Sequence, residues 1–154
     1  MEIRPARAAD IDLIDAIERA SFTADRFPRR NLARMLRSPS AELVLATSKG
    51  APVGYVLVLF RKGAKAARLY SLAVAPAARG KGGAAKLVQA AAQCAIERDC
   101  DRLRLEVRAS NEAAISLYRR EGFRTTKETP GYYNDGESAI HMELRLDPHK
   151  ERIK

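Results

Sequence analysis

Along the chain the apolar positions alternate every second residue, switch to helical spacing, and switch back, and each change of period marks an element. The opening MEIRPA alternates as a short strand. After Asp10, in N-cap position, Ile11, Ile14, Ile17 and Phe22 recur at helical spacing. A second helical segment follows Pro28 and stops before Pro39. AELVLATS and PVGYVLVLFR read as the two strands of a hairpin, with RLYSLAV as the next strand. From Gly82 onward, Ala84, Leu87, Val88, Ala91 and Ala95 form one apolar helix stripe. RLRLEVR alternates strictly, with Leu103, Leu105 and Val107 on one face. Residues 111–121 form a helix closed by Gly122, and GFRTTKE and SAIHMELRL are two final strands joined by TPGYYNDGE. The order βααβββαβαββ predicts an α+β fold around one mixed sheet. A single domain is expected over residues 1–146, with 147–154 as a flexible tail.

Composition narrows the class. With 154 residues, 46% hydrophobic and 31% charged, the chain reads as an ordinary water-soluble globular protein. No apolar run approaches the ~20 residues that span a bilayer, so no membrane partner is expected. The charged N-terminus MEIRPARAAD does not read as a secretory leader. Cys94 and Cys100 make no disulfide framework; Cys94 reads as a small buried hydrophobe, and the expected location is the reducing cytoplasm. His141 and His149 lie apart, without cysteine at ligand spacing, so no metal is expected. The net charge of +9 points to polyanionic company, such as a nucleotide-bearing cofactor, an acidic peptide or RNA, or to a solubilising surface alone.

The chemistry concentrates in VAPAARGKGGAAKL, where three glycines and two cations stand between a strand and a helix. A glycine-rich turn opening a helix gathers free N–H groups at the positive end of the helix dipole, which is a phosphate site. It is not a P-loop, because Lys81 precedes Gly82 instead of a hydroxyl residue. GKGGAA satisfies the dinucleotide spacing, but APAAR intervenes after the strand, RLRLEVR alternates where a buried parallel strand would not, and too little chain remains for a doubly wound sheet.

A third pattern fits. Arg79-Gly80-Lys81-Gly82-Gly83-Ala84 matches R/Q-x-x-G-x-G/A after an alternating strand and VAP, and this resembles the acetyl-CoA-binding segment of the GCN5-related N-acetyltransferases (GNAT). LEVRASNEAAISLYRREGF resembles the family's next strand and helix. GYYNDGESAIHMEL resembles the closing segment of the ribosomal-protein alanine N-acetyltransferase branch, and IRPARAADIDLI is similar to the family opening. The resemblance covers residues 1–146. It implies a mixed sheet of about six to seven strands flanked by about four helices, in the order read above. It also implies acetyl-CoA as co-substrate and transfer of the acetyl group to a primary amine.

The residue types agree with that chemistry. Coenzyme A carries a pyrophosphate and a 3′-phosphate; Gly80, Gly82 and Gly83 let amides approach, while Arg79 and Lys81 add charge. By resemblance the main chain of Leu72 and Val74 runs beside the pantetheine arm. Asn111 and Tyr118 share a helix face about 10 Å apart along the axis, so one extended arm meets both. Asn111 also reads as a plain N-cap, and Tyr118 as a core aromatic. No Ser/His/Asp or Cys/His set is visible, so direct attack by the amine is expected. The resemblance makes Glu106 the candidate base, against the alternative of a surface carboxylate paired with Arg104 and Arg108. Tyr118 is the candidate acid toward the departing thiolate, and the Val74 N–H the donor to the thioester oxygen. Tyr132 and Tyr133 stand where the branch covers its acceptor peptide.

ERASFTADRFPRRN lacks the Pro-Trp common in that branch and carries Arg26, Arg29 and Arg30, which would attract an acidic acceptor or only decorate a helix. The acceptor therefore stays open between a protein N-terminus, in some cases ribosome-associated, and a small amine or amino acid. A non-catalytic acetyl-CoA or RNA module is the reading of another class. RNA binding is disfavoured by 6% aromatics and no Trp.

Overall fold

The computed structural model describes residues 1–22 and 27–147. Seven strands, β1 (Glu2–Pro5), β2 (Ala41–Ser48), β3 (Ala51–Leu59), β4 (Ala66–Val74), β5 (Arg102–Arg108), β6 (Arg124–Thr129) and β7 (Ala139–Arg145), form one sheet in the order β1-β2-β3-β4-β5-β7-β6. The α-helices are α1 (Ile11–Ser21), α2 (Arg29–Arg37), α3 (Gly83–Glu97) and α4 (Glu112–Arg120), with 3-10 turns at Ala8–Asp10 and Pro76–Ala78. The element order is the predicted one. Every strand pair is antiparallel except β4 with β5.

Helix coverage explains why some strands read as continuous apolar runs and others as alternation. On one face α3 packs Leu87, Val88, Ala91 and Ala95 against Val44, Val56, Val58, Leu69, Leu103 and Leu105. On the other, Ile14 and Ile17 of α1 and Leu32 of α2 pack against Leu43, Leu45, Tyr55 and Leu57. β2 and β3 are thus buried on both sides, with Glu42 and Thr47 as the polar exceptions on β2. Each aliphatic side chain sealed in these layers contributes about 1.5–3 kcal/mol. β5 is covered on one side only: Leu103, Leu105 and Val107 are buried, while Arg102, Arg104, Glu106 and Arg108 reach the other face. The sheet therefore has a helix-covered half, β2 to β4, and a half, β5-β7-β6, with one uncovered polar face.

Two local expectations change. Asp10 occupies the N-cap position of α1 but makes no side-chain cap bond. Its carboxylate instead accepts two bonds from Arg4, each 2.9 Å, and the Arg7 N–H at 2.7 Å. The Arg4 bond is the main reason its carboxyl sits below the usual range. Of the cysteines, Cys100 is the buried one and Cys94 is half-buried. The Cys94 thiol is still pushed up to about 12, by burial first and then by Glu42. The expected tail lies outside the described residues from residue 148 onward.

Candidate active site

The site begins where β4 and β5 part. Their parallel pairing covers only Ala66 to Arg68 against Arg102 to Arg104, although both strands continue. On its other edge β4 pairs Ser71 with Leu57 and Leu69 with Val58, so Tyr70 is the extra residue of a bulge. A bulge bends and twists its strand, and this one falls just where the pairing with β5 stops. Beyond it the Ala75 N–H donates to Val53 of β3 at 2.7 Å. Main-chain groups alternate sides along a strand, so those of Val74 and Leu72 face away from β3, into the gap. The predicted pair Leu72 and Val74 thus offers backbone to anything lying there.

At the end of the gap, the Val74 carbonyl accepts a bond from Arg79 Nε at 3.0 Å, and the Arg79 guanidinium also reaches Ser21 Oγ at 3.4 Å. Arg79 therefore tethers the loop to β4 rather than standing free at the rim. Lys81 is exposed, as is Arg79, and pairs with no described carboxylate. Gly80 and Gly82 both have φ of +81°, and a Cβ on either would meet open space. Their absence of side chain serves backbone conformation and approach. Gly83 differs: it is buried, and a Cβ there would sit 2.6 Å from Met1 Sδ. The crowding comes from the far end of the Met1 side chain, which would have to turn aside to admit a Cβ.

The first turn of α3 closes with Lys86 N–H on the Gly82 carbonyl at 3.2 Å, leaving the N–H groups of Gly83, Ala84 and Ala85 without helical partners. No side chain caps this end and no acidic residue stands in its first turn. An uncapped helix N-terminus beside two left-handed glycines and a lysine fits a phosphate group.

Across the gap, Asn111 is the N-cap of α4, its Oδ1 accepting the Ala114 N–H at 3.2 Å. The plain-cap reading is therefore correct for that oxygen, and the amide NH2 remains for a ligand. Tyr118 is 7% exposed, with its ring 5.5 Å from that of Phe123. Burial pushes its phenol up to about 12, and its hydroxyl bonds to no other described residue.

Glu106 emerges on the opposite face of β5. Its expected partners are otherwise engaged: Arg104 binds Glu143 at 2.9 Å, and Arg108 binds Asp135 at 2.8 Å and Glu137 at 2.9 Å. Glu106 instead pairs through Oε1 with Arg68 of β4, bridging the strands just past their last backbone pairing. Its Oε2 lies 3.7 Å from His141 Nδ1 on β7. A cavity of about 370 Å³ opens beside them, bounded by Arg104, Thr126, Lys127 and Glu143. Tyr132 and Tyr133 meet edge to face at 5.1 Å, Tyr132 does the same with His141 at 5.7 Å, and Arg108 lies 4.2 Å over Tyr133. Glu137 fastens this loop to the start of α4, accepting from Ser110 N–H at 2.9 Å and from the Ser110 hydroxyl. Those bonds, with Arg108, bring its carboxyl to about 2.

Leu72, Val74 and residues 79–84 follow one another along the end of β4 and the loop into α3, and Asn111 and Tyr118 stand at the two ends of α4, the helix after β5. Glu106, Tyr132 and Tyr133 meet on the uncovered face. Arg68, His141 and Glu137 were missed, because their roles depend on strand register, which no local pattern shows. Arg29 is spent on Asp12 at 3.0 Å, Arg30 is exposed, and Arg26 lies outside the described residues.

The model of the acetyltransferase (GNAT) family matches residues 11–123. The chain belongs to that family. An N-alpha-acetyltransferase of Sulfurisphaera tokodaii is 32% identical over 155 residues, covering 94% of this chain and 92% of that protein. Among solved structures, the ribosomal-protein-S18-alanine N-acetyltransferase of Escherichia coli superposes with a TM-score of 0.84 at 27% identity, covering 95% of this chain and 94% of that one. Ard1 of Thermoplasma volcanium gives 0.85 at 27%, covering 95% and 97%. The GNAT fold and the branch read from GYYNDGESAIHMEL agree with these matches, and the protein is an N-acetyltransferase that uses acetyl-CoA.

Proposed function

We propose that this GNAT enzyme acetylates the α-amine of a protein or peptide N-terminus, including ribosome-associated chains, in the cytoplasm. The observation that carries this reading is the open polar face beside the gap. Glu106 stands at its edge, and the exposed Tyr132 leads a pair of rings along it, so an extended chain can lie there with only its end inside. The names of the Sulfurisphaera and Escherichia relatives support the same acceptor class.

Acetyl-CoA supplies an activated thioester carbonyl. The α3 N-terminus, with Gly80, Lys81 and Gly82, holds its phosphates, and Leu72, Val74 and the Asn111 amide align its arm. The Val74 N–H faces the carbonyl oxygen as that atom gains charge, and Arg79 fixes the peptide unit that follows by holding the Val74 carbonyl. Glu106 takes the proton of the incoming amine. An α-amine titrates near 8 and a lysine near 10.4, so the neutral fraction at neutral pH differs by roughly 250-fold, and a modest base suffices for the former.

Tyr118, with a phenol at about 12, stays protonated across the working range. Full transfer of its proton to a thiolate of ordinary pKa, about 8.5, runs uphill by roughly three and a half units. Tyr118 therefore stabilises the departing sulfur by donating a hydrogen bond. The deciding experiment is an acetylation screen of peptides with varied first residues beside free amino acids and polyamines, with products mapped to α- or ε-amine. Acetylated peptide α-amines are expected; turnover of free amines alone overturns the acceptor.

A further inference from the structure

Strand register lays a row of side chains across the uncovered face. Glu106 of β5 is paired with His141 of β7, and His141 with Lys127 of β6. Directly opposed residues of antiparallel strands share a face. The mechanism above does not use His141, yet three contacts fix its ring. Nε2 is 2.8 Å from Thr129 Oγ1, Nδ1 is 3.7 Å from Glu106 Oε2, and the Tyr132 ring stands edge-on. The side chains of His141 and Glu106 are 17% and 16% exposed, so solvent screens neither fully. The other charged groups around them are Arg68 of β4, which holds Glu106 Oε1, the Arg104–Glu143 pair across β5 and β7, and Lys127.

A carboxylate oxygen facing Nδ1 selects the tautomer with its proton there, because a lone pair would oppose another lone pair. Nε2 is then the acceptor, and the Thr129 hydroxyl donates to it. We propose that His141 is a positioning residue for Glu106 and a proton-sensitive gate on its second oxygen, an inference that rests on Glu106 serving the acceptor amine. At 3.7 Å, longer than a hydrogen bond, neutral His141 presents its N–H dipole to Oε2 and, with Arg68 on Oε1, biases the carboxylate's orientation beside the gap. One lone pair of Oε2 stays available to the amine. When the imidazole takes a second proton, Glu106 is flanked by two cations. Its attraction for the amine's proton falls, and Thr129 must turn from donor to acceptor.

The test is steady-state kinetics of the full chain with acetyl-CoA and peptide acceptors across pH. His141→Leu is expected to lower kcat by about 10- to 100-fold through misorientation of Glu106, with acetyl-CoA KM within about twofold. His141→Asn keeps an N–H donor in the Nδ1 position but cannot be protonated. It should retain kcat/KM within a few-fold at high pH, and its acid limb should have a slope near one, from the amine alone, where wild type steepens toward two. Two acceptors of different amine pKa separate the parts: the amine's limb moves with the acceptor, and the imidazole's does not.

With only two histidines in the chain, ring nitrogen-15 spectra of wild type and His141→Asn assign the tautomer directly at high pH; Nδ1–H is expected. An Nε2–H tautomer, a wild-type limb of slope one, or unchanged kcat in His141→Leu overturns the gate. If Glu106→Gln loses activity in the same assay, the base assignment survives that failure. If Glu106→Gln turns over like wild type, the underlying reading falls instead.

Discussion

Two carboxylates on the same side of the sheet show what helix coverage does to a glutamate. Glu18 of α1 is 1% exposed, beneath the covered half. Its Oε2 accepts the Phe27 N–H at 2.7 Å and its Oε1 the Tyr55 hydroxyl, which also lies 2.8 Å from Ser71 Oγ. Burial first, and the carboxylate second, push the Tyr55 phenol far above its ordinary range. Glu106 is held by Arg68 on one oxygen and faced by a histidine on the other, at the edge of an open cavity. Where helices close the face, a carboxylate binds the fold to itself. Where they leave it open, the same group lines a cavity instead.

The largest expected effect tests the covered side. Glu18→Leu removes the acceptor of the Phe27 N–H and leaves the Tyr55 hydroxyl with Ser71 alone, and urea unfolding should show a loss of about 3 kcal/mol. The kcat of the folded fraction should change little. A kcat collapse at unchanged stability would move Glu18 into the active site and dissolve the contrast.

On α4, in the core cluster on the α3 side of the sheet, Tyr118→Phe should lower kcat by about 10²-fold while stability stays close to wild type, because no described residue loses a bond. The pH sign is set by the raised phenol. Its contribution to stability is present below the ordinary value of about 10, and is lost as pH rises through about 12. Melting temperature should fall across that window in wild type and less in Tyr118→Phe, and equal alkaline losses would refute that origin.

The glycine loop offers a finer contrast. Gly82→Val strains a φ of +81° and crowds the approach, so calorimetry should show acetyl-CoA affinity falling about tenfold or more. Gly83→Ala has only to displace the end of the Met1 side chain, so stability should stay within about 1 kcal/mol of wild type, with smaller loss of affinity. Equal affinity losses would mean that packing alone shapes the loop.

The smallest effect concerns Glu137, whose carboxyl stands at about 2 through Ser110 and Arg108. Its contribution is present above the ordinary glutamate range and is lost as pH falls through that value. Glu137→Gln should raise the acceptor KM several-fold and flatten the acid-side loss of stability seen in thermal melts. An unchanged KM would separate the tyrosine loop from the acceptor.

The chain's own pattern reached far. Continuous apolar β2 and β3, alternating β5, and the stripe from Leu87 to Ala95 announced which elements are buried on two faces and which on one, because burial on a face is paid for by side chains of that face. The loop from Arg79 to Ala84 read as a phosphate site from its glycines and cations, and only the resemblance named acetyl-CoA. Glu106 was legible only through resemblance, its charge being ordinary for a strand surface, and the partners expected for it, Arg104 and Arg108, belong to other carboxylates.

What the sequence determined by itself, then, is local: element type, order, and the backbone chemistry of one turn, all governed by interactions a few residues apart. The tertiary structure alone decided which strands neighbour one another and in what register. Arg68 and His141, 38 positions before and 35 after Glu106 in the chain, reach it because β4 lies parallel on one side of β5 and β7 antiparallel on the other. The Tyr70 bulge of β4 falls just past Arg68, where its pairing with β5 stops. Register arises from the packing of whole strands, and a shift of one residue would turn every one of these side chains to the opposite face.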